Sequence, residues 1–533
     1  MNMMKKRVLM LLLSCLLLWA VVAAPASAAA PEPDLSGVPG TWAPGATPSN
    51  LNPNYPVILF VQGLISNAGT WYKTNDMYQT AYNNGYQTAF VELYDSGGPS
   101  RNMWDNGKLL ADKIVEISKA FPGKKLVIVA HSKGGLDSQT ALVHYGAYPY
   151  VSHLLTLGSP HHGSQLADLA YSFWAKWLVD LIGMKTEGTY SLQTSYMKHF
   201  RSITDSHANA SKNKIYTFAG KGWHGSKLIS LAGDGSKLIY FAGGLYLSIF
   251  GPNDGAVTVK SAHNPKGTMV KIGPWDHKVV HNGTPMFPLI KPYLTVPAGL
   301  AAEAESSGQS VAQETNPLDL VQPGSMLIRG GKHESTAVER FLVENDVRSI
   351  TFDWIADQPA DHLELIAPNG EKRTIAVEVE QDQELFKSAW HHTAVVAKPE
   401  QGEWTLQALS QKPGAHLLTV QYDSALSDSL KLTTEDKQKF LVETDGNELP
   451  SNKLNVRYDV RFIPEQGNPG KKKVQPLKQQ AEAGANNELD LTAAQEPGVY
   501  QTSVEVQGVT AQGVPFERSM LRSVYVDKQG GRH

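Results

Sequence analysis

Cysteine is all but missing from this chain, and that absence removes several kinds of chemistry at once. Of 533 residues only Cys15 carries a thiol. It lies in an apolar run near the amino terminus that is expected to be removed, so disulfides, a cysteine nucleophile and a thiolate-held zinc are excluded from the rest. That remainder must hold together by packing. An excess of positive charge is missing too. The leader described below takes three basic and no acidic residues with it, which leaves 45 positive side chains against 51 negative, a net charge of −6. Mild acidity without a basic stripe predicts no nucleic-acid partner and no anionic membrane surface.

Lys5, Lys6 and Arg7 precede an apolar run from Val8 to about Ala24, and small residues follow at Pro25-Ala26-Ser27-Ala28. This order predicts an export signal over 1–28, cut near Ala28, hence a secreted, extracellular protein with no transmembrane span in its mature form. The Leu12-Leu13-Ser14-Cys15 sequence has a faint likeness to a lipoprotein processing site, but the apolar run continues well past it.

After an N-terminal segment over 29–50, residues 51–297 alternate uniformly apolar runs with longer helical patterns. Such alternation predicts an α/β domain with a mostly parallel sheet. Pro56–Val61, Tyr86–Leu93, Lys125–Ala130, Leu154–Leu157 and Lys214–Ala219 read as strands, Tyr246–Phe250 as a further one, and Met103–Phe121 as an amphipathic helix. Leu166 to about Ser202 is rich in Trp and Tyr without a strand pattern, in the position of a cap. Its Tyr171, Trp174 and Trp177 are open to three roles: lipid-responsive lid, acyl pocket or core. A short sequence recurs at Gly225–Ile229 and Gly235–Ile239, read as two similar turns or short helices, or as a chance duplication. Residues 298–323 form an Ala/Glu/Ser/Gln/Gly linker. Beyond it the period becomes two, which predicts β-sandwiches over 324–427 and 428–533, the second an Ig-like unit with a polar insertion near 467–487.

The residues that carry chemistry sit at the ends of the apolar strands. Ala130-His131-Ser132-Lys133-Gly134-Gly135 joins a strand to a helical pattern, Leu136–Tyr145. A serine on that turn is lifted out of the sheet's carboxyl end, small residues two before and two after relieve crowding, and the helix dipole favours developing negative charge. Oxyanion donors are expected from the backbone N–H of Lys133 and of Leu64, in Val61-Gln62-Gly63-Leu64 after the first strand. An acid and then a histidine should follow. Asp254, in Gly251-Pro252-Asn253-Asp254-Gly255, and His277, in Trp275-Asp276-His277-Lys278, supply them in that order. His281 is the rival base and Asp234 the rival acid. His131 is read as packing beside its strand, His161 and His162 as lining the mouth of the site or serving its loop, and Asp137 as a first-turn residue facing the dipole.

Taken together, residues 55–165 and 250–285 resemble the secreted bacterial lipases and esterases of the α/β-hydrolase superfamily, with the Bacillus-type A-x-S-x-G elbow at Ala130–Gly134. Gly158-Ser159-Pro160-His161-His162-Gly163 and Asn253-Asp254-Gly255 are similar to their matching segments. The resemblance implies a catalytic triad of Ser132, Asp254 and His277, oxyanion donors Leu64 and Lys133, and hydrolysis of carboxylic esters through an acyl-enzyme. Two departures stand out. Gln62 occupies the place where such lipases usually carry His, and although many bind calcium near the catalytic histidine, Asp276 alone does not make a ligand set, so no metal is assigned. No cofactor is called for. The expected partner is an ester: lipid, short ester or polyester. A polyhydroxyalkanoate depolymerase and a surface-binding protein with a vestigial hydrolase body are the alternatives. The C-terminal sandwiches are left as polymer or cell-wall contacts, or as spacers.

Overall fold

The computed structural model describes residues 29–223, 243–295, 322–360, 362–374, 377–382, 386–444, 449, 454–465, 480–482 and 487–533. The leader, the Gly225–Ile229 and Gly235–Ile239 segments, Asp234, the linker up to residue 321 and most of the 467–487 insertion lie outside the described residues. Among those described, no helix is long and apolar enough to cross a membrane.

Seven strands form the N-terminal sheet: β1 (Trp42–Pro44), β2 (Val57–Val61), β3 (Thr88–Val91), β4 (Leu126–His131), β5 (Val151–Leu157), β6 (Lys214–Gly220) and β7 (Thr268–Gly273). Their order is β1-β3-β2-β4-β5-β6-β7, with only β1 antiparallel to its neighbour. Every residue of β2 and β4 is buried, because the sheet is covered on both faces. That double burial is why these strands lack alternation. The covering helices include α1 (Met77–Asn83), α2 (Met103–Ala120) and α3 (Gly134–His144). Asn102 caps α2 by accepting from the N–H groups of Trp104 and Asp105 at 2.9 and 3.0 Å, and Leu110, Ile114 and Ile117 point inward.

Residues 164–205, the region expected as a cap and so called below, form four short helices: α4 (Gln165–Ala170), α5 (Lys176–Ile182), α6 (Glu187–Ser191) and α7 (Thr194–Asp205). Tyr246–Phe250, expected as a strand, is instead mostly α8 (Gly244–Ser248). A short apolar run suits either element, and here Gly243, at φ +89°, opens a helical turn that buries Leu245, Tyr246 and Leu247 together.

Two antiparallel β-sandwiches follow. The first packs a five-stranded sheet containing Met326–His333, Ser349–Ala356 and Gly414–Asp423 on a four-stranded sheet containing Ala337–Val343 and Gly402–Leu409. Between them lies a core built around Trp354, Trp404 and Phe352. The second pairs Leu430–Glu435 and Lys439–Thr444 in one sheet, and Asn455–Pro464, Gly498–Val509 and Pro515–Val526 in another. Gln322–Pro323, at the end of the sequence-defined linker, adds to the former sheet. The cap shares one continuous core with both sandwiches: Leu166, Trp174, Leu178 and Met197 pack with Met326, Leu417, Val499 and Leu521.

Candidate active site

Ser132 follows β4 directly and precedes α3 by one residue. Its φ is +51°, in the left-handed region that a residue with a side chain enters at a cost of about 1–3 kcal/mol. The sharp reversal demands the small neighbours read from the sequence. A Cβ on Gly134 would lie 2.3 Å from the carbonyl oxygen of Gln62, and one on Gly63 would lie 2.8 Å from Cβ of Ser132. The Gln62–Ile65 loop is thus pressed against the serine. Gln62 is buried, and in the amide orientation that satisfies both its atoms it donates to Val91 O at 2.9 Å and accepts from Leu93 N at 3.1 Å and Ser96 Oγ at 2.8 Å. An amide therefore fixes this loop, at the position where the resemblance leads one to expect a histidine.

Asp254 and His277 meet at the same edge of the sheet, in the loops before and after β7. Asp254 sits in a tight turn closed by its N–H to Val257 O at 3.1 Å. Its Oδ1 accepts from the N–H groups of Ala256 and Val257 at 3.0 and 2.7 Å, which leaves Oδ2 for His277 Nδ1 at 2.8 Å. Both side chains are 1% exposed, and a backbone bond from His277 N to Asp254 O at 2.8 Å ties the loops together. Gly158, after β5, is the floor of this pair. A Cβ there would stand 3.0 Å from Asp254 Oδ2 and 3.3 Å from His277 Nδ1, and its φ is +61°. Ser132 is joined to that floor, since its N–H donates to Leu157 O at 3.0 Å. Gly158→Ala is expected to displace the Asp–His pair and lower kcat about 100-fold while leaving the fold intact; circular dichroism beside steady-state kinetics checks it.

His281, His131 and His161 each have a partner elsewhere. His281 binds Thr70 Oγ1 at 3.2 Å through Nε2 and stacks on His131 at 3.9 Å, away from Asp254; burial, with the nearby His277, pushes its pKa down to about 3. His131 packs beside its strand as read, with Nε2 2.9 Å from His277 O, so it steadies the His277 backbone. His161 is fully buried, bonded to Thr156 Oγ1 and Asn264 Nδ2 at 3.1 Å each, so it belongs to the interior rather than to the mouth of the site. Asp276 accepts from Lys278 N and Val279 N at 2.9 and 2.7 Å and caps the turn that carries His277.

A charged cluster beneath Ser132 escaped the sequence reading. Lys133 Nζ, fully buried, donates to Asp95 Oδ2 at 3.0 Å and to Asp137 Oδ1 and Oδ2 at 3.0 and 3.1 Å. Asn106 Nδ2 bridges the same two carboxylates. Asp95 Oδ1 in turn accepts from Ile65 N at 3.3 Å, in the loop beside Ser132. Two carboxylates share one ammonium, so one proton is wanted near neutrality. Burial, relieved by Lys133 and reinforced by Asp95, pushes Asp137 up to about 7. A carboxyl raised in the folded state adds stability below its unfolded value near 3.9 and loses it as pH climbs to 7. Asp137→Asn is therefore expected to flatten the dependence of Tm on pH across that window, which thermal melts at half-unit steps would read. The Lys133/Asp137 spacing of four on a helix start was visible beforehand; Asp95 and Asn106 come from other elements and carried no signal.

The cap aromatics Tyr171 and Trp174 are core, whereas Trp177 is 38% exposed. The C-terminal sheets reach the site itself. Lys387 Nζ donates to Ile65 O at 3.1 Å, and burial raises the Glu380 pKa against the lowering charge of Lys278, the neighbour of His277. Trp174 Nε1 donates to Glu505 Oε1 at 3.3 Å and Phe173 N to Ser503 Oγ at 3.2 Å.

Comparison with known proteins agrees with this architecture. A family model described as a PGAP1-like alpha/beta domain matches residues 92–180. The crystal structure of Bacillus licheniformis lipase BlEst2 in propeptide form is 35% identical, covering 93% of this chain and 99% of that one, with a TM-score of 0.73. The mature form of the same lipase is 46% identical over 49% of this chain and 100% of its own, at a TM-score of 0.43. With 35% identity along nearly the whole of both chains, this protein belongs to the α/β-hydrolase lipase/esterase family that includes that Bacillus enzyme.

Proposed function

We propose that this hydrolase is an extracellular carboxylic-ester hydrolase whose triad is Ser132, His277 and Asp254. The observation that carries the reading is the buried Asp254–His277 pair at 2.8 Å, set at the sheet edge where Ser132 is held at φ +51°. With Nδ1 engaged by Asp254, Nε2 of His277 takes the Ser132 proton as Oγ attacks the ester carbonyl. The oxyanion is held by the N–H groups of Leu64 and Lys133. Collapse breaks the ester C–O bond, and the leaving alkoxide takes the proton back from His277. Water, deprotonated by the same imidazole, then releases the acid from Ser132. The leader over 1–28 supports export, and no cofactor enters the cycle. Reaction with a fluorophosphonate probe tests the assignment: covalent labelling of the native chain and none of Ser132→Ala is expected, and labelling that survives the substitution rejects the triad. Short esters, long triglycerides and polyhydroxyalkanoate films assayed side by side then separate esterase, lipase and depolymerase.

The C-terminal sheets fit a second role better than polymer binding. The BlEst2 structure that matches along its full length is of a propeptide form, and here Lys387 reaches the oxyanion loop. By that likeness, residues 322–533 are a propeptide-like cover. Lys387→Ala removes one charge-assisted hydrogen bond of the cover, so kcat/KM for a bulky ester is expected to rise roughly 2- to 10-fold. No change, or a fall, speaks against covering.

A further inference from the structure

Among the described residues, one group of three histidine and carboxylate side chains converges on a common point: His199, Asp527 and His533. They come from opposite sides of the junction between cap and C-terminal sheets. His199 lies in α7 of the cap, while Asp527 follows the strand Pro515–Val526. The chain then turns back at Gly530, φ +82°, and pairs with that strand: His533 N donates to Tyr525 O at 2.9 Å and Tyr525 N to His533 O at 3.1 Å. This fold-back sets the His533 ring against the Asp527 carboxylate.

The distances among the three atoms are those of a coordination shell. His199 Nδ1 is 3.3 Å from His533 Nε2, His533 Nε2 is 2.8 Å from Asp527 Oδ2, and His199 Nδ1 is 3.8 Å from the same oxygen. Ligand atoms about 2.0–2.1 Å from a tetrahedral ion stand about 3.3 Å apart. Protons satisfy the arrangement poorly. If His533 Nε2 donates to Asp527, it keeps no lone pair for His199, whereas a cation accepts from all three at once. The carboxylate is oriented from behind, since its Oδ1 accepts from Gln529 N at 2.9 Å and Gly531 N at 2.7 Å, so that Oδ2 faces the imidazoles. The side chains are 12–18% exposed, and His533 also borders a cleft of about 270 Å³ lined by Asp168, Thr194 and Lys437, from which water can supply a fourth ligand.

We propose that His199, His533 and Asp527 bind a zinc-class divalent cation that pins the C-terminal β region to the cap. Two imidazoles and one carboxylate suit zinc and its borderline neighbours, whereas calcium and magnesium require oxygen donors. The site is distinct from the Ser132 chemistry and does not depend on it. A metal here stabilises the closed arrangement by mass action, because the ligands come together only when cap and sheet are docked.

The test uses the full chain purified without a polyhistidine tag, stripped with a chelator and titrated separately with Zn²⁺, Co²⁺ and Ca²⁺. The expected result is one equivalent of Zn²⁺ bound, visible d–d absorption with Co²⁺, and a Zn²⁺-dependent rise in the thermal transition. All three are lost in His199→Ala and in His533→Ala. Asp527→Asn serves as a third variant, and each is compared with the stripped wild type so that a folding defect shows as a lowered metal-free transition. Absence of stoichiometric Zn²⁺ binding, equal binding by a correctly folded variant, or preference for Ca²⁺ overturns the proposal.

Discussion

Ser132→Ala is expected to lower kcat for ester hydrolysis by a factor on the order of 10⁴ to 10⁶, and adding His277→Ala should cost little more. Nucleophile and base act as one unit, so removing either forfeits the covalent path and the second loss has nothing left to remove. The residual rate would come from whatever the Leu64 and Lys133 N–H groups still do for a water attack. Progress curves on a chromogenic short-chain ester at high enzyme concentration measure all three variants. Strict multiplication of the two single losses in the double variant would mean that the side chains work separately, and the proposed triad would fail.

Lys133→Met should destabilise the protein by about 3–5 kcal/mol, the usual cost of leaving a buried ion partner uncompensated. Its ammonium is completely enclosed, and both Asp95 and Asp137 depend on it. Without that charge the two carboxylates must take up protons to stay buried. The Asp137 pKa, already raised by burial, would rise further, and the deficit would grow as pH increases above the unfolded value near 3.9. Urea unfolding at pH 5 and pH 8 reads both effects. A loss below 1 kcal/mol at pH 8 would show that the cluster is dispensable. The same variant should also lower kcat, because Asp95 holds Ile65 N and Lys133 opens the helix, so the cluster steadies both walls of the proposed oxyanion site.

What could be read in advance depended on whether the information was local. Val57–Val61 and Leu126–His131 announce themselves because a strand covered on both faces needs apolar residues throughout, and the Ser132 turn needs Gly134 for reasons settled within a few residues. Period-two alternation over Val347–Trp354 and Glu403–Leu409 pointed to the strands found at Ser349–Ala356 and Gly402–Leu409 for the same reason. Tyr246–Phe250 misled because a short apolar run specifies burial and not backbone shape. β1 and β7 were not foreseen: the first is three residues long, and the second buries only Met269 and Gly273 fully. The Asp95–Asn106–Lys133–Asp137 cluster and the His199–Asp527–His533 group join distant parts of the chain, and nothing in any one segment marks its partner. Leu166–Ser202 was read as a cap, but that its apolar side would be shared with the C-terminal sheets could not be seen in a segment read by itself.

That shared interior bears on solubility. Leu166, Trp174, Leu178 and Met197 are kept dry by Met326, Leu417, Val499 and Leu521. If the C-terminal half were to detach, this apolar surface would be turned to water, so the remaining α/β body would have to rearrange these helices or bury them against another apolar surface.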